Sequence, residues 1–245
     1  MNAPAFSEVL VADLSNREFL ERYAGPGRIG LAGGATMIDL AIRRAERHLD
    51  DDARWSLWSH AFFFQGLRAD GQHWVVESDL DIHRKHIRLG VQENRGEKYF
   101  DEKLYRNLAV LDFGLADTQV AALVRAALDL VAARERYSIR EIFGALIGLR
   151  KEELRERENP LARERSLFCS AFVRRLYAGA GVDLSPGIAD KHTTPEDIFR
   201  TALPHTRYVL RRDDSQGKMA GLRAKMRGKI KSPIERLKKH RKTRG

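Results

Sequence analysis

Between Trp55 and Ser78 the chain reads W-S-L-W-S-H-A-F-F-F-Q-G-L-R-A-D-G-Q-H-W-V-V-E-S. Two runs rich in aromatic and β-branched residues flank G-L-R-A-D-G, with Gly66 and Gly71 at the edges of the turn. Such runs pack well on a pleated surface, and the glycines between them supply the turn, so the stretch predicts a β-hairpin. Alternation along the first arm puts His60 on the face of Trp58, Phe62 and Phe64. On the second arm it puts Glu77 with His73 and Val75. A turn centred on Arg68–Ala69 sets His60 directly across from Glu77, where Cβ atoms stand ~5 Å apart. A slip of one residue would send the two to opposite faces. Taken singly, His60 reads as a core histidine and Glu77 as a solvated strand-end charge. Paired, a carboxylate accepting from one ring nitrogen fixes the tautomer and orients the other nitrogen.

The second informative stretch is Arg165–Gly181, R-S-L-F-C-S-A-F-V-R-R-L-Y-A-G-A-G, which holds the sole cysteine, Cys169. Phe172, Val173, Leu176 and Tyr177 follow it at the spacing of a buried helical stripe. Ser166 can cap this helix, and Gly179 or Gly181 can end it. Cys169 is then expected in the first helical turn, where unpaired N–H groups and the helix dipole favour a thiolate. A buried structural cysteine is the competing reading.

Around these two stretches the elements alternate in type. Ser7–Tyr23 reads as helical, with Ser15 or Asn16 capping a short helix that ends at Gly25-Pro26-Gly27. Gly25 to Gly30 matches G-x-G-x-x-G, but the nucleotide fingerprint needs a strand before it and a helix after it. A helix precedes it here, so a tight loop leading into the core segment Arg28–Leu31 is the better reading. Thr36–Leu49 and Asp117–Arg134 carry amphipathic helical patterns, and Ser138–Ile147 opens on a capping box. Asp81–Asn94 holds at least one strand, and Leu108–Phe113 is a buried strand. Lys98–Tyr105 reads as a polar, aromatic-spotted linker. His83-x-x-His86 has a metal-like spacing, but on one strand it sends the rings to opposite faces, which makes surface residues the better reading. Thr194-Pro195-Glu196-Asp197 starts a short helix, and Tyr208–Leu210 is a last strand.

The net charge of +10 is concentrated in one segment. Arg207–Gly245 holds 15 Lys/Arg against 3 Asp/Glu, a surplus of 12, which leaves Met1–Thr206 at −2. From Asp213 onward, Met219, Leu222, Met226 and Ile230 are spaced to line one side of a cationic helix, which Gly221, Gly228 and Pro233 weaken. A disordered solubilising tail, an anionic membrane surface and nucleic acid are the three readings. No aromatic platform interleaves the charges, which disfavours single-stranded nucleic acid. One cysteine excludes a disulfide framework or a cysteine zinc finger, and no metal or cofactor is expected. The N-terminus has no basic n-region before an apolar run, and no window approaches a membrane span. A cytoplasmic location, or export without a signal peptide, is expected.

The order His60, Glu77, Cys169 is the reverse of ordinary papain-like enzymes, in which the cysteine helix precedes the histidine strand. With W-S-H-A-F-F-F, W-V-V-E-S, L-F-C-S-A-F-V-R-R-L-Y and T-T-P-E-D-I-F, the chain resembles the circularly permuted branch of the NlpC-type papain-like superfamily, the YiiX/YaeF-like amidases and peptidases. Its C-S-x-x-V and T-P-x-D patterns fall at Cys169, Ser170, Val173, Thr194, Pro195 and Asp197. The resemblance spans roughly residues 27–210. It implies an α+β, circularly permuted papain-like fold, with an antiparallel sheet packed against helices that include the cysteine helix. It divides the chain into an N-terminal helical segment (1–26), a catalytic domain (27–212) and the basic tail (213–245). The chemistry it implies is attack by Cys169 on an acyl carbonyl, His60 as base and Glu77 as its orienter, with the Cys169 N–H helping to hold the oxyanion. The thioester would pass to water or to another acceptor. The implied substrates are peptide amides or lipid acyl groups, with an anionic envelope or membrane surface as a partner of the tail. The alternative is a non-catalytic module that binds anionic membrane or nucleic acid through that tail.

Overall fold

The structure, a computed structural model, describes residues 6–49, 54–83, 86–133, 160–188 and 193–212. The basic tail and the segment expected to be helical at 138–147 lie outside these residues. Residues up to Arg212 form one compact unit. Its centre is a seven-stranded mixed sheet with α-helices on both faces, an α+β arrangement.

In chain order the elements are β1 (Phe6–Val11), α1 (Asn16–Tyr23), β2 (Ile29–Gly34), α2 (Met37–Ala45), β3 (His60–Leu67), β4 (His73–His83), β5 (His86–Arg95), β6 (Tyr105–Asp112), α3 (Asp117–Ala132), α4 (Pro160–Ala178), α5 (Pro195–Phe199) and β7 (His205–Arg211). Short 3-10 turns follow α2 at Glu46–Leu49 and β5 at Gly96–Phe100. The strands lie in the order β1-β7-β6-β2-β3-β4-β5. All neighbours are antiparallel except β1 and β7, which run parallel from Phe6↔His205 to Val11↔Leu210.

Several sequence expectations are corrected. The N-terminal segment is not wholly helical: Phe6–Val11 is an edge strand, and the helix starts only after Ser15, whose capping box with Glu18 fixes it. Joined to β7, this strand belongs to the same unit as the rest of the body. Asp81–Asn94 holds parts of two strands, within the expected at least one, but His83 and His86 do not share a strand, because β4 runs on to His83 and β5 begins at His86. His83 and His86 are therefore register partners on adjacent strands. The motif Gly25 to Gly30 links α1 to β2, the reverse of the nucleotide-binding order. Thr194 caps α5 through reciprocal bonds with Asp197, as its sequence predicts, and Thr36 caps α2 in the same way through Asp39.

Two apolar layers sandwich the sheet. On one face Ile29, Leu31, Ala61, Phe63, Val76, Ala109 and Leu111 pack with residues of α3 and α4. On the other, Ala32, Phe62, Phe64, Val75, Leu108 and Val110 pack with Phe19 and Leu20 of α1 and with Tyr99 of the 3-10 turn. Alternation along β2, β3 and β6 makes this division. Buried β2 lies between β3 and β6, and a Cβ built at Gly30 would stand 2.2 Å from the Phe62 ring. No described helix is long and apolar enough to cross a membrane.

Candidate functional site

His60 opens β3 and Glu77 lies within β4. Their side chains meet, with His60 Nε2 2.7 Å from Glu77 Oε2, and both are buried. The register that brings them together differs from the expected one. Phe63 pairs with Val76 and Phe64 with Val75, with an irregularity before Gly66. The turn is longer than a tight one at Arg68–Ala69, since Arg68 N–H donates to Gln72 O and Gly71 N–H to Arg68 O. Continued by one step, this register sets Glu77 opposite Phe62, so His60 reaches it diagonally. The shift is an even number of residues, which preserves the face.

A carboxylate with no exposed surface is costly unless donors surround it. Glu77 has several among the described residues. Asn94 Nδ2 donates to Oε1 at 2.6 Å and Lys98 Nζ at 2.7 Å. Tyr99 Oη donates to Oε2 at 2.5 Å, beside His60. Asn94 comes from β5, while Lys98 and Tyr99 come from the 3-10 turn. The Tyr99 ring stacks on Phe62 at 4.2 Å with 8° between planes, and His60 lies 6.2 Å from Phe62 and 6.5 Å from Tyr99. Asn16, fully buried in α1, donates to the Tyr99 carbonyl at 2.8 Å and pins the turn from behind.

The sequence reading missed these partners of Glu77. It took Lys98–Tyr105 for a linker and gave Asn94 no role. A buried carboxylate needs donors, and lysine next to tyrosine just past a strand end offers a cation and a hydroxyl. The sequence, however, does not say where a short 3-10 turn folds back.

Cys169 is fully buried in the apolar layer on the α4 side, with Phe172, Val173, Leu176 and Tyr177. Its Sγ is 3.8 Å from Ser170 Oγ. The helix does not start at Ser166 as expected. It runs from Pro160, so Cys169 is interior and its amide is not one of the terminal donors. Proline suits a first helical position, and L-A-R-E-R continues it with strong helix formers. The far end behaves as expected: Gly179, Ala180, Gly181 and Val182 donate back into the last turn, and Gly181 takes φ +80°.

Two contacts orient α4 along the sheet. Tyr177 Oη donates to Gly27 O just before β2, and Gly27 N–H bonds Phe64 O. The helix also packs on α2, which follows the opposite end of β2. Cys169 lies about two turns back from Tyr177, toward the end of the sheet where His60 opens β3. By strand alternation His60 and Glu77 fall on the α1 face, and Cys169 belongs to the α4 face. The structure thus joins His60 to Glu77 and places Cys169 toward the same end of the sheet, in the opposite layer.

The approach to His60 is fixed by polar contacts. Ser59 N–H donates to Ala32 O, and Gly34 N–H donates to Ser59 Oγ at 3.0 Å. Upstream, Ser56 Oγ donates to Glu196 Oε2 of α5 at 2.7 Å, and Arg43 Nε donates to Ser56 O at 2.8 Å. After α4, Arg174 holds the following loop through Asp183, Thr193 and the Ile188 carbonyl. Among the described residues, no cluster of three or more His, Cys, Asp or Glu side chains is placed to hold a metal.

No protein-family model matches the chain, and no curated protein matches it. Among solved structures, the chain is similar to the metalloprotein YiiX from Escherichia coli O157:H7, with a TM-score of 0.46 and 14% identity over 75% of this chain and 95% of that one. At that score the likeness carries no argument about chemistry.

Proposed function

We propose that the chain is a cysteine-dependent acyl hydrolase or acyltransferase on a permuted papain-like fold, with Cys169 as nucleophile, His60 as base and Glu77 as the residue that orients it. The observation that carries the reading is the buried 2.7 Å contact between His60 Nε2 and Glu77 Oε2. With Nε2 held by the carboxylate, Nδ1 is the nitrogen open to the thiol proton, which in this reading passes around the sheet end toward which Cys169 lies. The resulting thiolate attacks an acyl carbonyl, and the imidazolium returns the proton to the leaving group. Water or a second acceptor then breaks the thioester. Because Cys169 is interior to α4, its own amide has no part as an oxyanion donor. The substrates of this reading are peptide amides or lipid acyl groups, and the basic tail is proposed to engage an anionic membrane or envelope surface.

The burial of Cys169 in the apolar layer favours a second reading, a structural cysteine in a protein whose tail does the binding. Iodoacetamide separates the two, because the chain has a single cysteine. A catalytic Cys169 is alkylated in the native protein near neutral pH, and His60→Ala slows the reaction. Equal, slow labelling of both proteins supports the structural cysteine. Mass-spectrometric trapping of an acyl group on Cys169, from a panel of amide and lipid ester substrates, then assigns the substrate class.

A further inference from the structure

We propose that Lys98 and Tyr99 are positioning residues that set the proton inventory of His60 by acting through Glu77. The inference rests on the reading of His60 as base, and it concerns groups whose hydrogen bonds reach the orienting carboxylate.

The argument starts from donor and acceptor capacity. An ionised carboxylate only accepts hydrogen bonds. Tyr99 Oη and His60 Nε2 both approach Oε2, so each must donate to it. That requirement places the proton of neutral His60 on Nε2 and the lone pair on Nδ1. Lys98 and Asn94 donate to the other oxygen. These donors favour the charged form of Glu77 although its side chain has no exposed surface.

Charge then decides how readily His60 takes a second proton. A lone buried carboxylate beside an imidazole strongly favours the imidazolium. Here the Lys98 ammonium lies 2.7 Å from the same carboxylate and offsets its charge. The Tyr99 hydroxyl draws further density from the oxygen that faces His60. Together they lower the proton affinity of the dyad and keep His60 neutral, as a base must be before it acts.

Among the described residues, the other groups named near the dyad carry no positive charge. Asn94 of β5 and Asn16 of α1 are neutral. Tyr105 of β6 stands behind Tyr99 at 4.9 Å. Asp39 of α2 is engaged in the Thr36 cap. Cys169 of α4 lies in the opposite apolar layer and carries no positive charge. Lys98 is therefore the cation in contact with Glu77 among the described residues, and with 28% of its side chain exposed it tolerates substitution better than a core residue does.

The test is ring-nitrogen NMR of the full-length protein labelled with 15N-histidine, with His60 assigned by comparison with His60→Gln. The parent protein should show a neutral His60 with its proton on Nε2 at pH 7. Lys98→Met should move the pH at which the imidazolium loses its proton upward by about one unit or more. Lys98→Arg, which keeps the charge, should leave it near the parent value, and Tyr99→Phe should move it upward by less. A proton on Nδ1 in the parent, or equal midpoints in Lys98→Met and Lys98→Arg, overturns the proposal. If Lys98→Met does not fold, an unchanged midpoint in Tyr99→Phe overturns it instead. Repeating the titration in Cys169→Ala separates this inference from the hydrolase reading. A shift that persists there supports the Lys98 role even if iodoacetamide finds Cys169 inert, and that second result would sink only the hydrolase.

Discussion

His60 and Glu77 meet at 2.7 Å from diagonal positions on neighbouring strands, not from opposite ones. Phe62 is the residue that the continued register sets across from Glu77, and its ring stacks on Tyr99, a further ligand of the same carboxylate. The pair is thus held from the side by an aromatic stack and from beyond by β5 and the 3-10 turn.

Glu77→Gln keeps the shape but puts an amide NH2 where donors already point. Breaking a buried charge pair from one side costs about 3–5 kcal/mol, and urea denaturation should show a loss of that order. Lys98→Met in the same chain removes the cation left behind. The double variant should be less destabilised than the sum of the two single changes, the signature of direct coupling.

Gly30→Ala tests the aromatic stack. The added Cβ would lie 2.2 Å from one Phe62 ring atom and 2.3 Å from the next. Phe62 has no room to retreat, with Tyr99 stacked on it and Phe64 at 5.2 Å edge-on. A stability loss of at least about 1–3 kcal/mol is expected, measured by thermal or urea unfolding. Pairing it with Phe62→Leu should recover part of the loss, because the smaller side chain vacates the space.

His205 gives the fold a pH dependence. Burial between Phe6 and Phe113 lowers its pKa, against an opposing bond from Nδ1 to Leu203 O at 2.7 Å. A histidine held below its unfolded value binds fewer protons when folded, so its contribution is complete above the unfolded pKa of about 6.5 and is lost as pH falls below that value through the lower folded one. Unfolding midpoints measured from pH 7.5 down to 5 should decline, and His205→Phe should flatten the decline.

Removing residues 213–245 tests the tail. Any binding to anionic vesicles or DNA that weakens with salt should vanish. Alkylation of Cys169 should be unchanged, because the site residues all lie in the unit that ends at Arg212. Retained salt-sensitive binding would assign it to the body, whose sequence up to Thr206 is slightly acidic.

Much of this arrangement is legible in the sequence where local chemistry decides it. Thr36 and Thr194 announce their helices because a capping box is complete within four residues. The face shared by His60 and Glu77 follows from alternation, which survives an even shift of register. The register itself does not follow, because it depends on an irregularity between Phe64 and Gly66 and on a turn that closes at Gln72. Nor does the start of α4, since Ser166 is an equally good cap and interior residue until the course of the preceding chain is known. The ligands of Glu77 were hidden because Lys98 and Tyr99 reach it by chain reversal, which no periodicity records.

The parallel pairing of β1 with β7 also bears on how the chain is made. Phe6–Val11 is synthesised well before its partner, His205–Arg211, which closes the body. Until those residues emerge, the first strand must wait unpaired while the sheet assembles from β2 to β6, and joining it closes a loop of nearly the whole body. A chain that stops short of residue 205 would keep both that orphan strand and an uncovered β6 edge, two templates for pairing with other chains. Completion of the body and protection from aggregation are therefore one event, the docking of β7 between β6 and β1.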